Sequence, residues 1–175
     1  MVMCGNIKKK WFNMNYHDIE VDSMLNGDGL RVVLWVSGCE HHCKNCQNPE
    51  THDSKSGIPF DKKACFELTE ALMYEHCAGL TLSGGDPLYP NNRHEITTLC
   101  EVCKKAFPHK TIWLYTGYTW EQIRTLEVMQ YIDVLVDGRY VEELNDINYE
   151  WAGSTNQRII DVQKSLELDK IVLHK

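Results

Sequence analysis

The sequence predicts an α/β fold in which parallel strands alternate with helices. Two observations carry this prediction: strand-like apolar runs recur four times between residues 30 and 138, and the segments between them place apolar residues at helical spacing. Strands that alternate with helices of this length pair in parallel through right-handed crossovers. With 175 residues, of which 43% are hydrophobic, the chain has enough apolar material for one core. We therefore expect one domain over residues 1–175.

The first half of this pattern opens with LRVVLWV (30–36), a continuous apolar run after the turn-rich NGDG (26–29). Such a run is typical of a strand buried on both faces. A helix is predicted over 61–76, with Asp61 as its N-cap and apolar residues at helical spacing. GLTLSGGDP (79–87) then predicts a short strand that enters a Gly-Gly turn.

The second half repeats the alternation, with a helix predicted over 92–107 and a strand over 111–117. Thr119 and Gln122 form a capping-box signature before a third helix, whose apolar positions are Ile123, Leu126 and Met129. YIDVLVDG (131–138) predicts the next strand. The predicted order is β-α-β-α-β-α-β.

The two ends of the chain carry weaker patterns, so we expect residues 1–25 and 139–175 to be less regular. Residues 139–157 read as a polar loop, which leads to a predicted strand at 158–162 and a last apolar piece, KIVLH.

Composition limits the classes of partner and the compartment. The net charge of −7 argues against a broad electrostatic grip on nucleic acid or an anionic membrane, and the longest apolar run has only five residues. The first residues, MVMCGNIKKKWFN, lack the apolar stretch of a secretory signal. Eight cysteines are fewer than a disulfide-stapled scaffold of this length would carry. We expect a cytoplasmic protein with free or metal-bound thiols.

The segment SGCEHHCKNCQNPETH (37–52) concentrates the chemistry of the chain. It holds three cysteines at C-x3-C-x2-C spacing: Cys39, Cys43 and Cys46. Because they lie among polar residues directly after a predicted strand, ligation explains them better than packing does. One alternative is a structural zinc site, with His41, His42 or His52 as fourth ligand. The other is a cluster of four irons that leaves one iron open for a substrate.

Five segments in order resemble the radical S-adenosylmethionine superfamily, and within it the activating proteins of anaerobic ribonucleoside-triphosphate reductase: NGDGLRVVLWVSGCEHHCKNCQNPET, LTLSGGDPLYP, WLYTGYTWEQI, IDVLVDGRY and GSTNQRIIDVQKS. The resemblance implies an incomplete (β/α) barrel. It also implies an enzyme that reductively cleaves S-adenosylmethionine at a 4Fe–4S cluster. The resulting 5′-deoxyadenosyl radical abstracts hydrogen from a glycine of the reductase.

The resemblance also implies roles for individual residues. Cys39, Cys43 and Cys46 would be the catalytic cluster ligands. Residues Asn45, Cys46 and Gln47 would contact the adenine or the methionyl part of S-adenosylmethionine. Gly84 and Gly85 would let the backbone approach it closely, and Asp86 would add charge near its amino group. A turn in which Asp86 acts as a cap is the alternative for that residue. The sequence departs from the superfamily at Asn45, where an aromatic residue is frequent, and at Asp86, where Glu is frequent.

Other residues keep two interpretations. His41 either makes a hydrogen bond close to the metal site or is an exposed loop residue. Tyr115, Thr116 and Gly117 either line the cofactor pocket or pack the rim, and Arg139 is either a carboxylate or ribose contact or a surface charge. Cys100 and Cys103 fall on the apolar stripe of a predicted helix, so we expect core thiols there. We assign no function to Cys4, Cys65 or Cys77.

The leading hypothesis is a glycyl-radical activase with two partners, the anaerobic reductase and a low-potential electron donor such as flavodoxin. Rivals are an activase of another glycyl-radical enzyme, such as pyruvate formate-lyase, a small radical enzyme that acts on a metabolite, and a zinc-binding module without catalysis.

Overall fold

The computed structural model describes residues 13–175, which form a seven-stranded mixed sheet flanked by helices. The strands are β1 (Asn15–Ser23), β2 (Leu30–Val36), β3 (Ile58–Pro59), β4 (Cys77–Gly84), β5 (Thr111–Tyr115), β6 (Val134–Asp137) and β7 (Arg158–Asp161). The helices are α1 (Lys62–Met73), α2 (Arg93–Ala106), α3 (Trp120–Ile123) and α4 (Val162–Glu167). Short 3-10 segments lie at Pro49–Thr51, Glu127–Gln130 and Glu142–Leu144. Cys4 and the lysine cluster near the N-terminus lie outside the described residues.

The centre of the sheet is parallel, as predicted. The strand order is β3-β1-β2-β4-β5-β6-β7, and the pairs β2–β4, β4–β5 and β5–β6 are all parallel. Helices α1, α2 and α3 lie in the connections between these strands. The outer pairs β1–β2, β1–β3 and β6–β7 are antiparallel. The fold is therefore mixed α/β, with an open sheet whose edge strands are β3 and β7.

The core follows from the sequence pattern. Val32, Leu34 and Val36 of β2 are at most 1% exposed, since neighbouring strands and helices cover both faces of this central strand. Helix α1 begins where Asp61 accepts hydrogen bonds from the backbone N–H groups of residues 63 and 64, at 2.8 and 3.0 Å. The predicted N-cap is thus confirmed.

Two elements differ from the expectation. Residues 15–23, which we expected to be less regular, form the longest strand, because pairing with β2 compensates for a sequence rich in polar side chains. Helix α3 ends after one turn, although the pattern predicts a helix that continues to Met129. Leu126 has an extended backbone (φ −69°, ψ 140°), and the chain resumes only as a 3-10 turn.

The topology brings four loops to one edge of the sheet. The carboxyl ends of β2, β4, β5 and β6 lead into the cysteine loop (37–48), the SGGDP loop (83–87), the YTGY loop (115–118) and the segment after Asp137. We call this edge the rim. Ligands of parallel α/β proteins gather at such an edge. No helix in residues 13–175 is long and apolar enough to cross a membrane.

Candidate functional site

The cysteine loop is anchored where it leaves β2. The N–H of Gly38 donates to the carbonyl of Thr51 at 2.7 Å, and the N–H of Cys39 donates to the carbonyl of His52 at 3.0 Å. The loop then turns through two residues with positive φ, His42 (48°) and Asn45 (51°). This conformation leaves the thiols of Cys39, Cys43 and Cys46 free and half-buried on one short loop.

Backbone N–H groups contact these thiols. The N–H of Asn48 donates to Sγ of Cys46 at 3.4 Å, and hydrogen bonds from the backbone of His41 and Tyr140 act on the thiols of Cys39 and Cys43. Burial raises the pKa of Cys39 to about 11, against the lowering effect of its backbone hydrogen bond. Burial also raises the pKa of Cys43, opposed by its backbone hydrogen bond and by the charge of Arg139. Cys39 and Cys43 would therefore be thiolates at neutral pH only with a cation bound to them.

Asp86 joins three of the rim loops. Its carboxylate accepts hydrogen bonds from Nε2 of His41 at 2.6 Å, from Oγ1 of Thr116 at 2.9 Å and from the N–H of Gly117 at 3.0 Å. It also accepts from the N–H of Leu88 at 2.8 Å, which is the cap interaction of the turn. The side chain is 1% exposed. The predicted contact of Asp86 with a cofactor stays a prediction, since all these partners belong to the protein itself.

Gly84 and Gly85 bring the SGGDP loop against the cysteine loop. A Cβ on Gly84, which has a φ of +105°, would lie 2.5 Å from the backbone nitrogen of Val36. A Cβ on Gly85 would lie 2.6 Å from the carbonyl oxygen of Gly38. The N–H of Asp86 donates to that same carbonyl at 2.7 Å. Backbone packing thus requires both glycines, and their predicted contact with S-adenosylmethionine stays a prediction.

His41 is buried, so the interpretation as an exposed loop residue is wrong. Its ring packs edge-on against Tyr118, with centroids 4.6 Å apart, and lies against Gly117, where a Cβ would come within 2.4 Å of Cδ2. Two buried ring nitrogens of this region have no hydrogen-bond partner among the described residues: Nδ1 of His41 and Nε2 of His52. Such unpaired atoms are available to contact a bound group or an ordered water.

A cavity of about 560 Å³ opens at the carboxyl ends of β5 and β6. Its lining combines charged and small residues: Gly117, Thr119, Glu121, Gln122, Asp137, Gly138, Arg139, Asn156 and Arg158. Gly117 belongs to the predicted pocket-lining group and contacts His41, while Arg139 lies close enough to Cys43 to lower the pKa of its thiol. The cavity therefore adjoins the cysteine loop.

Single sequence motifs did not predict the ion pairs in this cavity. Arg158 donates to Asp137, with Nε to Oδ1 at 3.0 Å, and to Glu121, with Nη1 to Oε1 at 3.1 Å. Arg158 holds the pKa of Glu121 at about 2, and both carboxylates raise the pKa of Arg158. An acidic residue at the end of β6 and an arginine on a neighbouring antiparallel strand would be the only signal, and it requires the strand pairing to be known.

The GSTNQR segment closes one side of the cavity. Oε1 of Gln157 accepts from the N–H of Gly153 at 2.9 Å and of Ser154 at 3.1 Å, while its Nε2 donates to the carbonyl of Gly138 at 3.0 Å. Nδ2 of Asn156 donates to the carbonyl of Arg139 at 2.8 Å. These amides fix residues 138 and 139 at the cavity.

The segment 139–157 also touches the cysteine loop at its exposed side. Lys44 lies 3.0 Å from both Glu142 and Glu143, and Asn45 donates to Glu142. The side chain of Asn45 thus already has a protein partner, while Gln47 is exposed. Their predicted contacts with S-adenosylmethionine stay predictions.

The remaining described cysteines lie in the core, as was predicted for Cys100 and Cys103. Cys100 and Cys103 are 0% and 4% exposed on α2, and burial raises the pKa of Cys100 well above its usual value. Cys65 and Cys77 are buried as well.

Comparison with known proteins identifies the class first. The model of a 4Fe-4S single cluster domain matches residues 25–160, so this chain carries an iron–sulfur domain. A relative from Enterobacteria phage T4 is 46% identical over 146 residues, which are 83% of this chain and 93% of the relative. Relatives from Vibrio cholerae and Escherichia coli are 40% and 39% identical, over 83% and 82% of this chain and 97% and 96% of their own lengths. All three are named anaerobic ribonucleoside-triphosphate reductase-activating protein. This chain belongs to that family.

Proposed function

We propose that this chain activates an anaerobic ribonucleoside-triphosphate reductase by generating its glycyl radical, with a 4Fe–4S cluster on Cys39, Cys43 and Cys46 and with S-adenosylmethionine as cosubstrate. The observation that carries the proposal is the rim of the sheet. There, three free thiols on one loop lie beside two other tightly packed loops and a cavity, in a member of this family.

The residues present fit an iron–sulfur cluster. Three thiols supply one ligand for each of three irons, which leaves the fourth iron open. Backbone hydrogen bonds to sulfur and the nearby charge of Arg139 favour the anionic thiolates. The unpaired nitrogens of His41 and His52 add polar contacts for a bound group. A cluster held by Cys39, Cys43 and Cys46 would supply one electron for the reductive cleavage of S-adenosylmethionine to methionine and a 5′-deoxyadenosyl radical. That radical would take a hydrogen atom from the reductase glycine.

The protein positions the cosubstrate. The cavity beside the cysteine loop offers about 560 Å³, within the range of small-molecule sites. Arg139 lines it, and a guanidinium suits the carboxylate of the methionyl group. Arg158 is held by Asp137 and Glu121, so its charge is balanced within the protein. Asn45, Gln47, Gly84, Gly85 and Asp86 complete the predicted binding group around this edge.

The fold gives a large substrate access to the rim. The sheet does not close on itself, since β3 and β7 are both edge strands. The incomplete barrel and the single domain remain part of the proposal. A glycine loop of the reductase would enter at this rim, with local rearrangement of that loop. The thiols of Cys39, Cys43 and Cys46 are free, which supports a reducing, cytoplasmic location as part of the proposal. A low-potential carrier such as flavodoxin would deliver the electron.

The direct test is formation of the radical on the partner. The anaerobically reconstituted chain would be mixed with the reductase, S-adenosylmethionine and a reductant, and the glycyl radical would be recorded by electron paramagnetic resonance. The proposal predicts a radical signal with the wild-type chain and none with Cys43→Ala. Radical formation by Cys43→Ala at the wild-type level would overturn it. A signal with pyruvate formate-lyase and none with the reductase would favour the rival activase.

A zinc module is the second candidate, because the buried, unpaired Nε2 of His52 would serve as a fourth ligand beside three thiols. Within residues 13–175, however, no three His, Cys, Asp or Glu side chains are arranged to hold one metal ion. Metal analysis separates the two: one zinc per chain without sulfide supports the module, and four irons with four sulfides support the cluster.

A further inference from the structure

The three rim loops that surround the site meet at one carboxylate. Asp86 belongs to the SGGDP loop, His41 to the cysteine loop, and Thr116 and Gly117 to the YTGY loop. Four hydrogen bonds of 2.6–3.0 Å, from His41, Leu88, Thr116 and Gly117, end on the two oxygens of Asp86. The carboxylate is almost fully buried, so these bonds replace the water that an exposed carboxylate would have.

The hydrogen bonds around Asp86 determine whether His41 acts as donor or acceptor. Because the backbone N–H groups of Gly117 and Leu88 donate to Asp86, its oxygens act as acceptors, and Nε2 of His41 is the donor toward Oδ2. The imidazole also fills the space that Gly117 leaves, since a Cβ there would approach Cδ2 within 2.4 Å. The ring is held by shape and by one short hydrogen bond.

His41 lies between two of the predicted cluster ligands in the sequence. Its backbone N–H donates a hydrogen bond to the thiol of Cys39, and Cys43 follows two residues later. Holding the imidazole therefore holds the chain between these thiols. We propose that His41 and Asp86 form a positioning pair that, through the Nε2 to Oδ2 hydrogen bond, fixes the cysteine loop in the arrangement required to bind the cluster. This inference rests on the proposed function and assigns Asp86 a role toward the loop.

The experiment uses side chains that imitate one ring nitrogen each. In His41→Gln the amide nitrogen reaches about as far as Nε2 and keeps a donor for Asp86. In His41→Asn the shorter amide takes the place of Nδ1 and cannot donate a hydrogen bond to Asp86. His41→Ala removes both, and Asp86→Asn replaces the acceptor. All full-length chains are reconstituted anaerobically, and the loss of cluster absorbance is followed in the presence of an iron chelator.

Loss of positioning should accelerate cluster release by about 10–100-fold, the usual effect of removing a group that supports metal ligands. We expect this for His41→Ala, His41→Asn and Asp86→Asn, with release from His41→Gln within about threefold of the wild type. The double variant His41→Ala with Asp86→Asn should release the cluster no faster than the worse single variant, because both changes break one interaction. The electron paramagnetic resonance spectrum of the reduced cluster should also change less on adding S-adenosylmethionine in the variants that release the cluster faster.

The matched control is His76→Gln. His76 contacts Asp22 at 2.9 Å, but this pair is half-exposed and far from the rim, so its release rate should equal that of the wild type. Thermal melts of the metal-free chains identify any variant that does not fold. If Asp86→Asn does not fold, the release rates of the three His41 variants are sufficient to test the inference.

Two results overturn the inference. Release from His41→Ala at the wild-type rate shows that the pair does not position the loop. Release from His41→Gln as fast as from His41→Ala, or rescue by Asn and not by Gln, shows that the Nε2 to Oδ2 hydrogen bond does not position the loop. A wild-type chain that binds no iron contradicts the proposed function itself, which distinguishes the two failures.

Discussion

The chain contains the spacing C-x2-C twice, in two regions that differ in backbone conformation and in burial. Cys43 and Cys46 lie on the rim, in a loop with positive φ at Asn45, and both thiols are half-buried. Cys100 and Cys103 lie one turn apart on α2, in the apolar core. Identical spacing therefore accompanies opposite environments.

The difference shows that backbone conformation decides what a cysteine pair can do. A loop lets backbone N–H groups point at sulfur, as Asn48 does toward Cys46. In a helix interior those N–H groups are used by the helix itself, and the thiols pack as small hydrophobes. The third cysteine of the loop, Cys39, has no counterpart on α2.

The strongest test of this contrast removes thiols from each region. Cys39→Ala, Cys43→Ala and Cys46→Ala should each lower iron and sulfide to background after reconstitution, because three ligands are the minimum for an open cluster. Cys100→Ala and Cys103→Ala should keep the wild-type iron content and lose about 1 kcal/mol of stability from core packing. Iron analysis and chemical denaturation measure these effects. Iron loss in Cys100→Ala would break the comparison.

Alkylation of the metal-free chain should differ between the regions by about 100-fold or more, because buried thiols react only after local opening. Below its pKa of about 11, the reaction of Cys39 with iodoacetamide should accelerate about tenfold per pH unit. Mass spectrometry of the modified peptides gives both rates. Equal rates for Cys39 and Cys100 in the folded chain would contradict the assignment.

The same raised pKa predicts the pH dependence of stability. Folding raises the pKa of Cys39 from 9.0 to about 11, so the folded state retains the proton more tightly than the unfolded chain does. This contribution is complete below pH 9 and is lost as the pH rises toward 11. The melting temperature of the metal-free wild type should fall over this window more than that of Cys39→Ala. If the melting temperatures of the two chains fell equally with pH, the raised pKa of Cys39 would not be the cause of the loss of stability.

Gly117→Ala should disturb the rim and leave Cys100 and Cys103 on α2 unaffected. The added Cβ would meet Cδ2 of His41 at 2.4 Å, and relief of this overlap should cost about 1–3 kcal/mol and release the cluster about tenfold faster. Gly153→Ala is the control, since its Cβ would lie 3.1 Å from the movable ring of Tyr140. Faster cluster release from the control than from Gly117→Ala would contradict this account of the rim.

The smallest effect is expected at the exposed side of the cysteine loop. Lys44→Ala removes ion pairs with Glu142 and Glu143 whose side chains are largely exposed, and such pairs contribute about 0–1 kcal/mol. Cluster release should change by less than about threefold. A larger change, measured at matched ionic strength, would show that segment 139–157 holds the loop more firmly than surface ion pairs do.

The sequence predicted those parts of the fold whose side chains carry a periodic pattern. β2 has a run of buried aliphatic residues, α1 has Asp61 as its cap, and Cys100 lies on a helical stripe, so each could be inferred locally. Strand β1 could not, because polar residues interrupt its apolar positions and pairing with β2 decides its conformation.

The candidate site divides in the same way. The cysteine triplet is a local motif, whereas the bond between His41 and Asp86 joins residues 45 positions apart, and the bond between Arg158 and Asp137 joins residues 21 apart. Such contacts depend on which loops the sheet brings together. Sequence reasoning therefore singled out the candidate ligands and residues such as His41 and Asp86, but it did not predict the hydrogen bonds that join them.

The central claim is that the cysteine loop holds a 4Fe–4S cluster with one iron open to S-adenosylmethionine. The most direct measurement is the low-temperature electron paramagnetic resonance spectrum of the reconstituted, reduced chain with and without S-adenosylmethionine. The account predicts a reduced 4Fe–4S signal that changes when S-adenosylmethionine is added. A chain without a cluster signal that holds one zinc tightly, or a cluster signal that S-adenosylmethionine leaves unchanged, would contradict it.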